Sequence, residues 1–566
     1  MTGDRSGAAP DRAWSPPLRL GVLAPGTRLA RWQRCVLEQL LEPGDVELVV
    51  LVLDGSHATG RSRPSRAPLD RRALWRLYNN RWVRGRARSI ERVECADVFA
   101  GAAVVHVVPE RVGRYSQRFP PAAIEELRTH ALDVLLRFGF GILRGAVLDV
   151  ARHGIWSFHH DDERVIRGGP PSFWEVHDGL PTTGVLLQRL TENLDAGVPL
   201  ARATFRTVGY SYPRNRDRAA LGAAVLPAQV ARAARRAVLD PGALPAADAS
   251  APIRRDPDNR QMIRFLGHQT VRAVSARVRG VVAGAKWNVG VVPADSPALS
   301  SGAVGEAEWL PERRRGYYAD PFPATRDGTT AVLVEDFDER SGVGVISALR
   351  RDEDGRWSVL PGVIAPGQHA SYPSLVEVAG QLYCVPETAR LGRVEAWRCM
   401  HFPDRWERAG TLLAVPVVDP TVVEWGGRWW LFGGRRDRDA TSELWLWSAP
   451  SLFGPWTGHP QNPVKLDVTS SRPAGTPFKL DGVLHRPAQD CSSAYGGAVV
   501  INAVVALNDE RFEERPVGRI EADGGPYPLG RHTLSYGGGL LAIDGKRLVI
   551  DPGRSRRELV ARLWRR

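Results

Sequence analysis

A degenerate repeat in the second half of the chain restricts the fold more than any other feature. Five turn glycines recur at intervals of 47 to 56 residues: Gly328, Gly380, Gly427, Gly482 and Gly538. A proline stands seven residues before each of the first three: Pro321, Pro373 and Pro420. Each glycine lies between two apolar segments, which predicts five units of several short strands and favours a five-bladed β-propeller. Because the repeat is degenerate, a β-sandwich remains the alternative.

The first 210 residues follow a different pattern, in which strands alternate with helices. Apolar runs begin at Leu18 and Val46, and the stretch between them has apolar residues at helical spacing. The alternation continues to about Thr207, interrupted by an arginine-rich stretch at 56–92. This alternation predicts a doubly wound α/β sheet of Rossmann-like type, whose ligands bind beyond the carboxyl ends of the strands.

The predicted organisation is therefore multidomain, with an α/β region followed by an all-β region. Apolar residues at helical spacing between the two regions predict a helical connector. The predicted segments are a disordered tail at 1–17, the α/β domain at 18–210, the helical connector at 211–303, the propeller at 304–556 and a C-terminal tail at 557–566.

Composition and charge exclude several classes of protein. Of the 566 residues, 43% are hydrophobic and 25% charged, as in ordinary globular proteins. The formal net charge is +13, but no block of five or six basic residues occurs, so we expect anionic small molecules or polar lipid headgroups rather than nucleic acid as partners. The apolar runs are shorter than the roughly 20 residues of a membrane-spanning helix. The five cysteines lack metal-site or disulfide spacing, so we expect no metal and a cytoplasmic location.

The densest polar cluster of the first region lies at 157–171, directly after a predicted strand. It contains His159, and a second polar loop that carries Asp195 follows another strand. Because the ends of neighbouring strands meet at one edge of a sheet, we expect Asp195 to orient the His159 imidazole and to stabilise its charged form. A histidine that is merely satisfied within its loop is the alternative.

The region from Leu18 to Tyr210 resembles the folate-dependent formyltransferases. Their signature is Asn-x-His, an Arg-Gly pair eight residues after the His, and an Asp in an L-D-x-G loop. The matching segments here are Ser157–His159, Arg167–Gly168 and Leu194–Gly197. The resemblance implies that His159, Asp195 and Ser157 are catalytic. It also implies that 10-formyltetrahydrofolate is the co-substrate, bound by Phe138, Gly139, Phe140, Ile142, Leu143, Arg167 and Gly168.

This chain departs from the formyltransferase pattern at the Asn position, which is Ser157. In the family the Asn donates a hydrogen bond to the developing oxyanion. A serine hydroxyl can also donate one bond, but it is shorter than a carboxamide. His160 and Asp161 also replace a Pro-Ser pair. Deformylation, transfer to another acceptor, or folate binding without turnover therefore stay open.

Four acidic residues of the predicted propeller form its candidate binding site. Asp320 and Asp419 stand in Asp-Pro pairs, Glu387 in Pro-Glu-Thr, and Asp490 before Cys491. Carboxylates bind sugar hydroxyls and aromatic faces pack against sugar rings, so this composition predicts carbohydrate binding. The alternative is that the acids cap turns and that the aromatic residues fill the cores.

The second half of the chain resembles the N-terminal domain of the plant glucosamine inositolphosphorylceramide transferases. The segments that carry the resemblance are Ser451–Trp456, Arg472–Gly475 and His485–Cys491. The region is also distantly similar to five-bladed glycoside hydrolases, which cleave glycosidic bonds with paired acids. Where some of those enzymes have a Glu-Cys pair this chain has Asp490, which favours glycan binding over hydrolysis.

The leading prediction is a transferase that moves a formyl group from 10-formyltetrahydrofolate to an amino group of a sugar or glycoconjugate, with the propeller binding the acceptor. A hydroxyl acceptor remains open. The alternative is a carbohydrate-binding or glycan-processing protein whose first domain is degenerate or hydrolytic. The sequence predicts neither the identity of the acceptor nor the oligomeric state.

Overall fold

The computed structural model describes residues 16–56, 70–113, 116–192, 197–236, 244, 251–293, 304, 306–522 and 524–550. Asp195, most of the predicted N-terminal tail and all of the predicted C-terminal tail lie outside the described residues. In the described part of the chain, no helix combines the length and the apolar character needed to cross a bilayer.

A seven-stranded sheet forms the centre of the N-terminal region. Its strands are β1 (Leu18–Ala24), β2 (Val46–Asp54), β3 (Ala103–Val107), β4 (Val134–Arg137), β5 (Ile155–His159), β6 (Thr182–Arg189) and β7 (Val198–Arg206). The order across the sheet is β7-β6-β5-β4-β1-β2-β3. Strands β1 to β5 are parallel, whereas β6 and β7 run antiparallel to their neighbours. The predicted α/β sheet is therefore present, and its edge is antiparallel.

Helices cover both faces of this sheet. Val22 and Leu136 belong to the core on one face, and Leu23 and Leu135 to the core on the other, because successive strand residues point to opposite sides. The helices are α1 (Arg31–Leu41), α2 (Ala73–Tyr78), α3 (Pro121–Thr129), α4 (Trp174–Asp178), α5 (Tyr212–Gly222), α6 (Leu226–Arg235) and α7 (Asn259–Val282). Helices α1, α5 and α6 cover the first face and α3 the second, whereas α2, α4 and α7 share a separate buried cluster. A π-helical turn follows α2 at Asn79–Val83, and 3₁₀ turns lie at Gly145–Asp149, Ala223–Val225 and Ala389–Leu391.

Short strands supplement the main sheet. Arg28–Ala30 pairs with Arg92–Glu94, and Ser116–Arg118 pairs with both Glu110–Val112 and Ile142–Leu143. Arg167–Gly168 pairs in parallel with Ile253–Arg254. This pairing places a segment from beyond the α/β sheet against the predicted Arg-Gly element.

Five antiparallel sheets make up the C-terminal region, and four of them are built from consecutive strands. Sheet 1 contains Gly316–Arg326, Thr329–Asp338, Val343–Arg351 and Trp357–Ile364; sheet 2 contains Ser371–Val378, Gln381–Glu387, Val394–His401 and Arg405–Leu413. Sheet 3 contains Val417–Trp425, Arg428–Arg435, Glu443–Ala449, Thr457–Gly458 and Lys465–Leu466; sheet 4 contains Phe478–Leu480, Val483–Asp490, Ala498–Leu507 and Phe512–Glu521. The region is thus mostly β, as predicted.

The fifth sheet, which we name the closing sheet, joins the two ends of this region. Ala283–Pro293 pairs with Glu308–Trp309 on one side and with Leu540–Ile550 on the other, and Leu534–Gly537 completes the sheet. Ala283–Pro293 falls inside the predicted helical connector, so the helical part ends about 20 residues earlier than predicted. The physical reason is the alternation of apolar Trp287, Val289 and Val291 with Asn288 and Gly290, a strand pattern of period two, in a segment that is buried from 287 to 292.

The repeating glycines occupy hairpin turns, between the first two strands of sheets 1 to 4 and between the last two strands of the closing sheet. At Asp327-Gly328, for example, φ is +49° and +76°, the two positive values of a type I′ turn. The equivalent pairs are Ala379-Gly380, Gly426-Gly427, Asp481-Gly482 and Gly538-Gly539. Gly538 is therefore the first residue of its turn, whereas the other four repeat glycines are the second.

The two regions of the chain pack directly against each other. Arg232 of α6 donates hydrogen bonds to the carbonyls of Pro460 and Asn462 at 3.1 and 3.2 Å, and Val468 N donates to Thr204 O at 2.9 Å. Leu466 of sheet 3 is part of the core that covers one face of the α/β sheet. These contacts attach sheet 3 to α6 and β7.

Candidate functional site

Ser157 lies beside an arginine at the carboxyl ends of two neighbouring parallel strands. Ser157 of β5 is in register with Arg137 of β4, and Arg137 Nη1 donates a hydrogen bond to Ser157 Oγ at 2.9 Å. Arg137 Nε donates to Gly139 O at 3.2 Å. Burial lowers the pKa of Arg137, and none of the described carboxylates forms an ion pair with it. The edge of the sheet therefore holds a desolvated cation whose guanidinium has further N–H donors to offer.

His159 shares a face of β5 with Ser157, because residues two apart on a strand point to the same side. Its Nε2 lies 3.9 Å from Asp161 Oδ2. The adjacent His160 is different: its ring stacks on Phe158 and meets Trp32 edge-on, and burial lowers its pKa to about 3. His160 therefore stays neutral at physiological pH, and His159 is the histidine suited to proton transfer.

Asp161, the acid next to His159, interacts with a second buried acid, Glu175. Asp161 accepts a hydrogen bond from Ser172 N at 3.1 Å, and burial together with the charge of Glu175 raises its pKa well above the usual value. Burial raises the pKa of Glu175 to about 8. Both carboxyl oxygens of Glu175 are buried without a hydrogen-bond partner among the described residues. Asp161 and Glu175 thus form a pair that retains at least one proton near neutral pH.

The segment predicted to bind folate is packed into the domain to different degrees. Phe138 meets Trp32 edge-on at 5.5 Å, and Phe140, at φ +65°, packs on Phe119 at 5.1 Å. Leu143 is buried in the core and Ile142 is half-buried. A Cβ at Gly139 would lie 2.8 Å from Pro25 N, so only glycine fits there. Of this segment, Phe138 directly follows Arg137 in sequence, and the Gly139 carbonyl accepts a hydrogen bond from Arg137 Nε.

The Arg167–Gly168 element is held by protein rather than left open. Arg167 Nε donates to Ala251 O at 2.7 Å. Gly168 has φ +105°, and a Cβ there would lie 2.1 Å from Arg254 O. The glycine is therefore explained by close approach of the Ile253–Arg254 strand. Asp195, the predicted partner of His159, lies outside the described residues.

A second polar centre lies where the first strands of the C-terminal sheets meet. Asp320 and Asp419 both have φ near +50° at bulges before a proline. Asp320 accepts bonds from Thr533 Oγ1 at 2.9 Å and Tyr372 N at 3.2 Å. Asp419 N donates to Glu387 Oε2 at 3.1 Å. Three of the four predicted sugar-binding acids therefore belong to one hydrogen-bonded centre.

Burial and mutual repulsion govern the charges of these acids. Burial raises the pKa of Asp320 to about 6, and the charge of Asp419 adds to the shift. Burial and Asp419 also raise the pKa of Glu387 to about 8. Asp419 itself forms a bidentate ion pair with Arg472, whose Nε and Nη2 lie 2.6 and 3.2 Å from its oxygens. The centre thus combines a paired carboxylate with a carboxyl that holds its proton near neutral pH.

Several members of this centre are absent from the sequence prediction. His532 is hydrogen-bonded through Nδ1 to Asp544, stacks on Trp287 with ring centroids 3.8 Å apart, and has Nε2 3.6 Å from Asp320 Oδ1. Burial lowers the pKa of His532, but Asp544 and Asp320 outweigh it and raise that pKa overall. Asp320, His532 and Asp544 could also hold a cation, since their ligand atoms lie within 4.8 Å of one another.

Asp490, the fourth predicted acid, is engaged elsewhere. It forms an ion pair with Arg519 at 2.5 Å and accepts a hydrogen bond from Ser492 N at 2.7 Å. The missed Arg472 carries a signal in the sequence, because Arg472-Pro473 continues the series of X-Pro pairs begun by Asp320-Pro321. His532 and Asp544 carry no such signal, because the closing sheet, which pairs strands far apart in sequence, brings them to this centre.

Comparisons with known proteins divide the chain in the same way. Residues 285–523 match the family described as glucosamine inositolphosphorylceramide transferase 1, N-terminal. The rice (Oryza sativa subsp. japonica) enzyme named glucosamine inositolphosphorylceramide transferase 1 is 30% identical over 248 residues, which cover 41% of this chain and 33% of the relative. Methionyl-tRNA formyltransferase of Agathobacter rectalis is 36% identical over 86 residues, which cover 15% of this chain and 28% of the relative. The predicted resemblance to both families is confirmed.

The chain spans about a third of the length of the plant relatives and less than a third of that of the bacterial relative. Among solved structures, glycinamide ribonucleotide transformylase 1 from Symbiobacterium toebii aligns with a TM-score of 0.27 and 16% identity, covering 39% of this chain and 89% of that one. A thermostable family-43 glycoside hydrolase aligns with a TM-score of 0.30 and 13% identity, covering 38% and 78%. By sequence, the chain is similar to methionyl-tRNA formyltransferase over a short stretch and to the plant transferase N-terminal family over its mostly β region.

Proposed function

We propose that this protein is a formyltransferase that uses 10-formyltetrahydrofolate and acts on an amino group of a sugar or glycoconjugate. The observation that carries the proposal is the contact of Arg137 with Ser157, beside His159 at the carboxyl edge of the sheet. This donor set fits a carbonyl group that gains negative charge during reaction. The formyl donor would lie against the Phe138 segment, with Asp195 as the expected partner of His159.

The proposed chemistry is acyl transfer through a tetrahedral intermediate. The acceptor amine attacks the formyl carbon, a C–N bond forms, and the carbonyl oxygen becomes an oxyanion. Ser157 Oγ already accepts a bond from Arg137, so its own hydrogen is available to the oxyanion, and Arg137 adds positive charge. His159 takes the proton from the amine. The bond from the formyl carbon to N10 then breaks, and N10 gains a proton as tetrahydrofolate leaves.

In this proposal the C-terminal region binds the acceptor. Its five sheets are proposed to form a five-bladed β-propeller that begins at Ala283, with Asp320, Glu387 and Asp419 at its centre. A protonated Glu387 can donate to a sugar hydroxyl while Asp320 accepts from another. The plant relatives are named glucosamine inositolphosphorylceramide transferases, which makes glucosamine-containing glycoconjugates the first acceptors to test. All five cysteines are free, in keeping with a cytoplasmic enzyme.

The test incubates the full chain with 10-formyltetrahydrofolate and a panel of amino sugars and glucosamine glycoconjugates. Release of tetrahydrofolate that requires an acceptor, together with a formylated acceptor detected by mass spectrometry, supports transfer. The control is His159→Gln, which should lose turnover while keeping its circular dichroism spectrum. Release that is equal with and without acceptor would instead identify a deformylase.

A second candidate is a carbohydrate-binding or glycan-processing protein whose α/β region has lost turnover. The observation in its favour is the density of carboxyl groups around Asp320, Asp419 and Glu387. Calorimetry with glycans, and assays with aryl glycosides, separate this candidate from the first. Glycan binding or cleavage by a chain that never consumes 10-formyltetrahydrofolate would favour it.

A further inference from the structure

Helix α7 has two apolar faces, and only one of them is packed. Met262 and Phe265 lie in a buried cluster, where the Phe265 ring contacts Tyr78 at 5.6 Å and Phe173 at 4.7 Å. Met262 and Phe265 are three residues apart, which places them on the same side of the helix. This side attaches α7 to α2 and α4.

The opposite face of α7 exposes an apolar stripe, which Gly267 and Thr270 interrupt between Ile263 and Val271. Ile263, Val271, Val274 and Val278 stand at i, i+8, i+11 and i+15, so they lie along one face of the helix. They and Leu266 are between 37% and 64% exposed. Single exposed apolar residues are normal, whereas four on one face of a helix, with Leu266 at the edge of that face, form an apolar patch of the kind found at interaction surfaces.

The charge of α7 is entirely positive. Its sequence contains five arginines and no aspartate or glutamate, and Arg260, Arg264 and Arg277 are exposed. The five arginines of the helix are Arg260, Arg264, Arg272, Arg277 and Arg279.

Helix α2 and the π-helical turn after it, which pack beside α7, also expose apolar residues and arginines. Leu77 and Trp82 are 64% and 46% exposed, and the Arg86 guanidinium lies 3.5 Å from the centre of the Trp82 ring. Tyr78, between them in sequence, contacts the Phe265 ring, and its hydroxyl donates a hydrogen bond to Gln269 Oε1 at 3.3 Å. Exposed arginines of this segment are Arg71, Arg72, Arg76, Arg81, Arg84 and Arg86.

We propose that the outer face of α7, together with Leu77 and Trp82, binds the surface of a bilayer that contains anionic lipids. A helix with apolar side chains on its outer face and arginines among them lies in the interface, with the apolar groups at the acyl boundary and the arginines at the headgroups. Trp82 next to Arg86 suits the same boundary, where one end of the ring meets apolar groups and the other meets polar ones.

Two other occupants fit this surface less well. A second copy of the chain would bring two sets of arginines together without an acid on either helix, which is unfavourable. A nucleic acid would pair with the arginines but would leave the five apolar side chains in water. A lipid surface satisfies both the charge and the apolar stripe. The inference is independent of whether the α/β region transfers formyl groups.

The test measures co-sedimentation of the full chain with vesicles of phosphatidylcholine alone and with vesicles that contain 30% phosphatidylglycerol. We expect binding to the anionic vesicles to be at least tenfold stronger and to weaken in 0.5 M salt. Val271→Gln with Val274→Gln should lower the partition coefficient about tenfold without changing the charge. Arg264→Gln with Arg277→Gln should lower it by about fivefold for each arginine.

The matched control is Val505→Gln with Val517→Gln, two valines of sheet 4 that are 56% and 51% exposed. This control should bind vesicles as the unchanged chain does. Equal binding to both vesicle types, no binding, or equal losses in the control and the α7 variants would overturn the proposal. So would tighter binding to DNA than to vesicles, or a dimer in ultracentrifugation that the Val271→Gln and Val274→Gln changes abolish.

Discussion

The two polar centres of this protein are built in opposite ways. At the edge of the α/β sheet, the desolvated Arg137 contacts a neutral hydroxyl and pairs with none of the described carboxylates. At the centre of the C-terminal sheets, Arg472 is fully matched by Asp419, and further carboxyl groups outnumber the cations. The first arrangement has donors to spare and suits an oxygen that becomes negative. The second has acceptors to spare and suits the hydroxyls of a sugar.

The largest difference between the centres should appear in stability. Arg472→Ala leaves Asp419 buried without its cation and should lower the free energy of unfolding by about 3–5 kcal/mol. Arg137→Ala removes only a hydrogen bond to the neutral Ser157 hydroxyl, so it should lower the free energy of unfolding by about 1–2 kcal/mol or less. Urea unfolding followed by circular dichroism measures both. Equal losses in the two variants would contradict the contrast in pairing.

The next effect concerns catalysis, and it tests Arg137 as an oxyanion donor. If the proposed function holds, Arg137→Ala should lower kcat about 10²–10³-fold, as removal of an oxyanion donor does in other enzymes, with little change in KM. Combining Arg137→Ala with Ser157→Asn restores the family donor in a less crowded site and should recover part of kcat. A loss confined to KM would indicate that Arg137 binds substrate instead. Asp419→Asn should affect KM for the acceptor and leave kcat nearly unchanged.

The pH dependence of stability tests the raised pKa values of two carboxyl groups, Glu175 near the first centre and Glu387 in the second. Each has a folded-state pKa of about 8, above the value of 4.5 in the unfolded chain. Between these values the folded state holds one more proton per group, so stability falls as the pH rises. Glu175→Gln should remove about 1.4 kcal/mol per pH unit of this slope between pH 5 and 7.5, and the half-buried Glu387→Gln somewhat less. Urea titrations at several pH values measure the slopes. Only Glu387→Gln should also weaken glycan binding.

The smallest effect is expected at Asp490. Its carboxylate is occupied by Arg519 and by Ser492 N, so Asp490→Asn should change the Kd for a glycan less than twofold. Asp419→Asn, at the centre of the same region, should raise that Kd about tenfold or more. Calorimetry with whichever glycan binds the unchanged chain provides both values. A tenfold rise in Kd for Asp490→Asn would instead indicate that the glycan binds near Asp490 in sheet 4.

The local parts of the fold could be predicted from the sequence, and the distant parts could not. Strands such as Val46–Asp54 are continuous apolar runs, and the turn glycines specify their hairpins directly. The strand Ala283–Pro293 follows a helix without a break, and its partner Leu540–Ile550 lies about 250 residues away. Its pattern of period two is visible, but nothing nearby in the sequence identifies what it pairs with.

The candidate sites show the same division. Ser157 and His159 could be predicted from the sequence because they belong to a short motif at the end of a strand. Arg137 is the last residue of an apolar strand, and a single charge at that position is a usable signal only once the neighbouring strand is known. The Asp161–Glu175 pair depends on burial, which sequence does not report. Arg472 could have been found from the X-Pro series, whereas His532 and Asp544 required the closing sheet.

The closing sheet also has a consequence for the order of events during synthesis. Strands β1 to β7 all lie before residue 207, so they emerge from the ribosome before any strand of the C-terminal sheets, and the α/β region can form early. Ala283–Pro293 emerges soon afterwards but must wait for Leu540–Ile550, more than 10 s later at 5–20 residues per second. Throughout that interval one edge of this strand lacks its final partner, and an unpaired strand edge is a template for pairing with other chains.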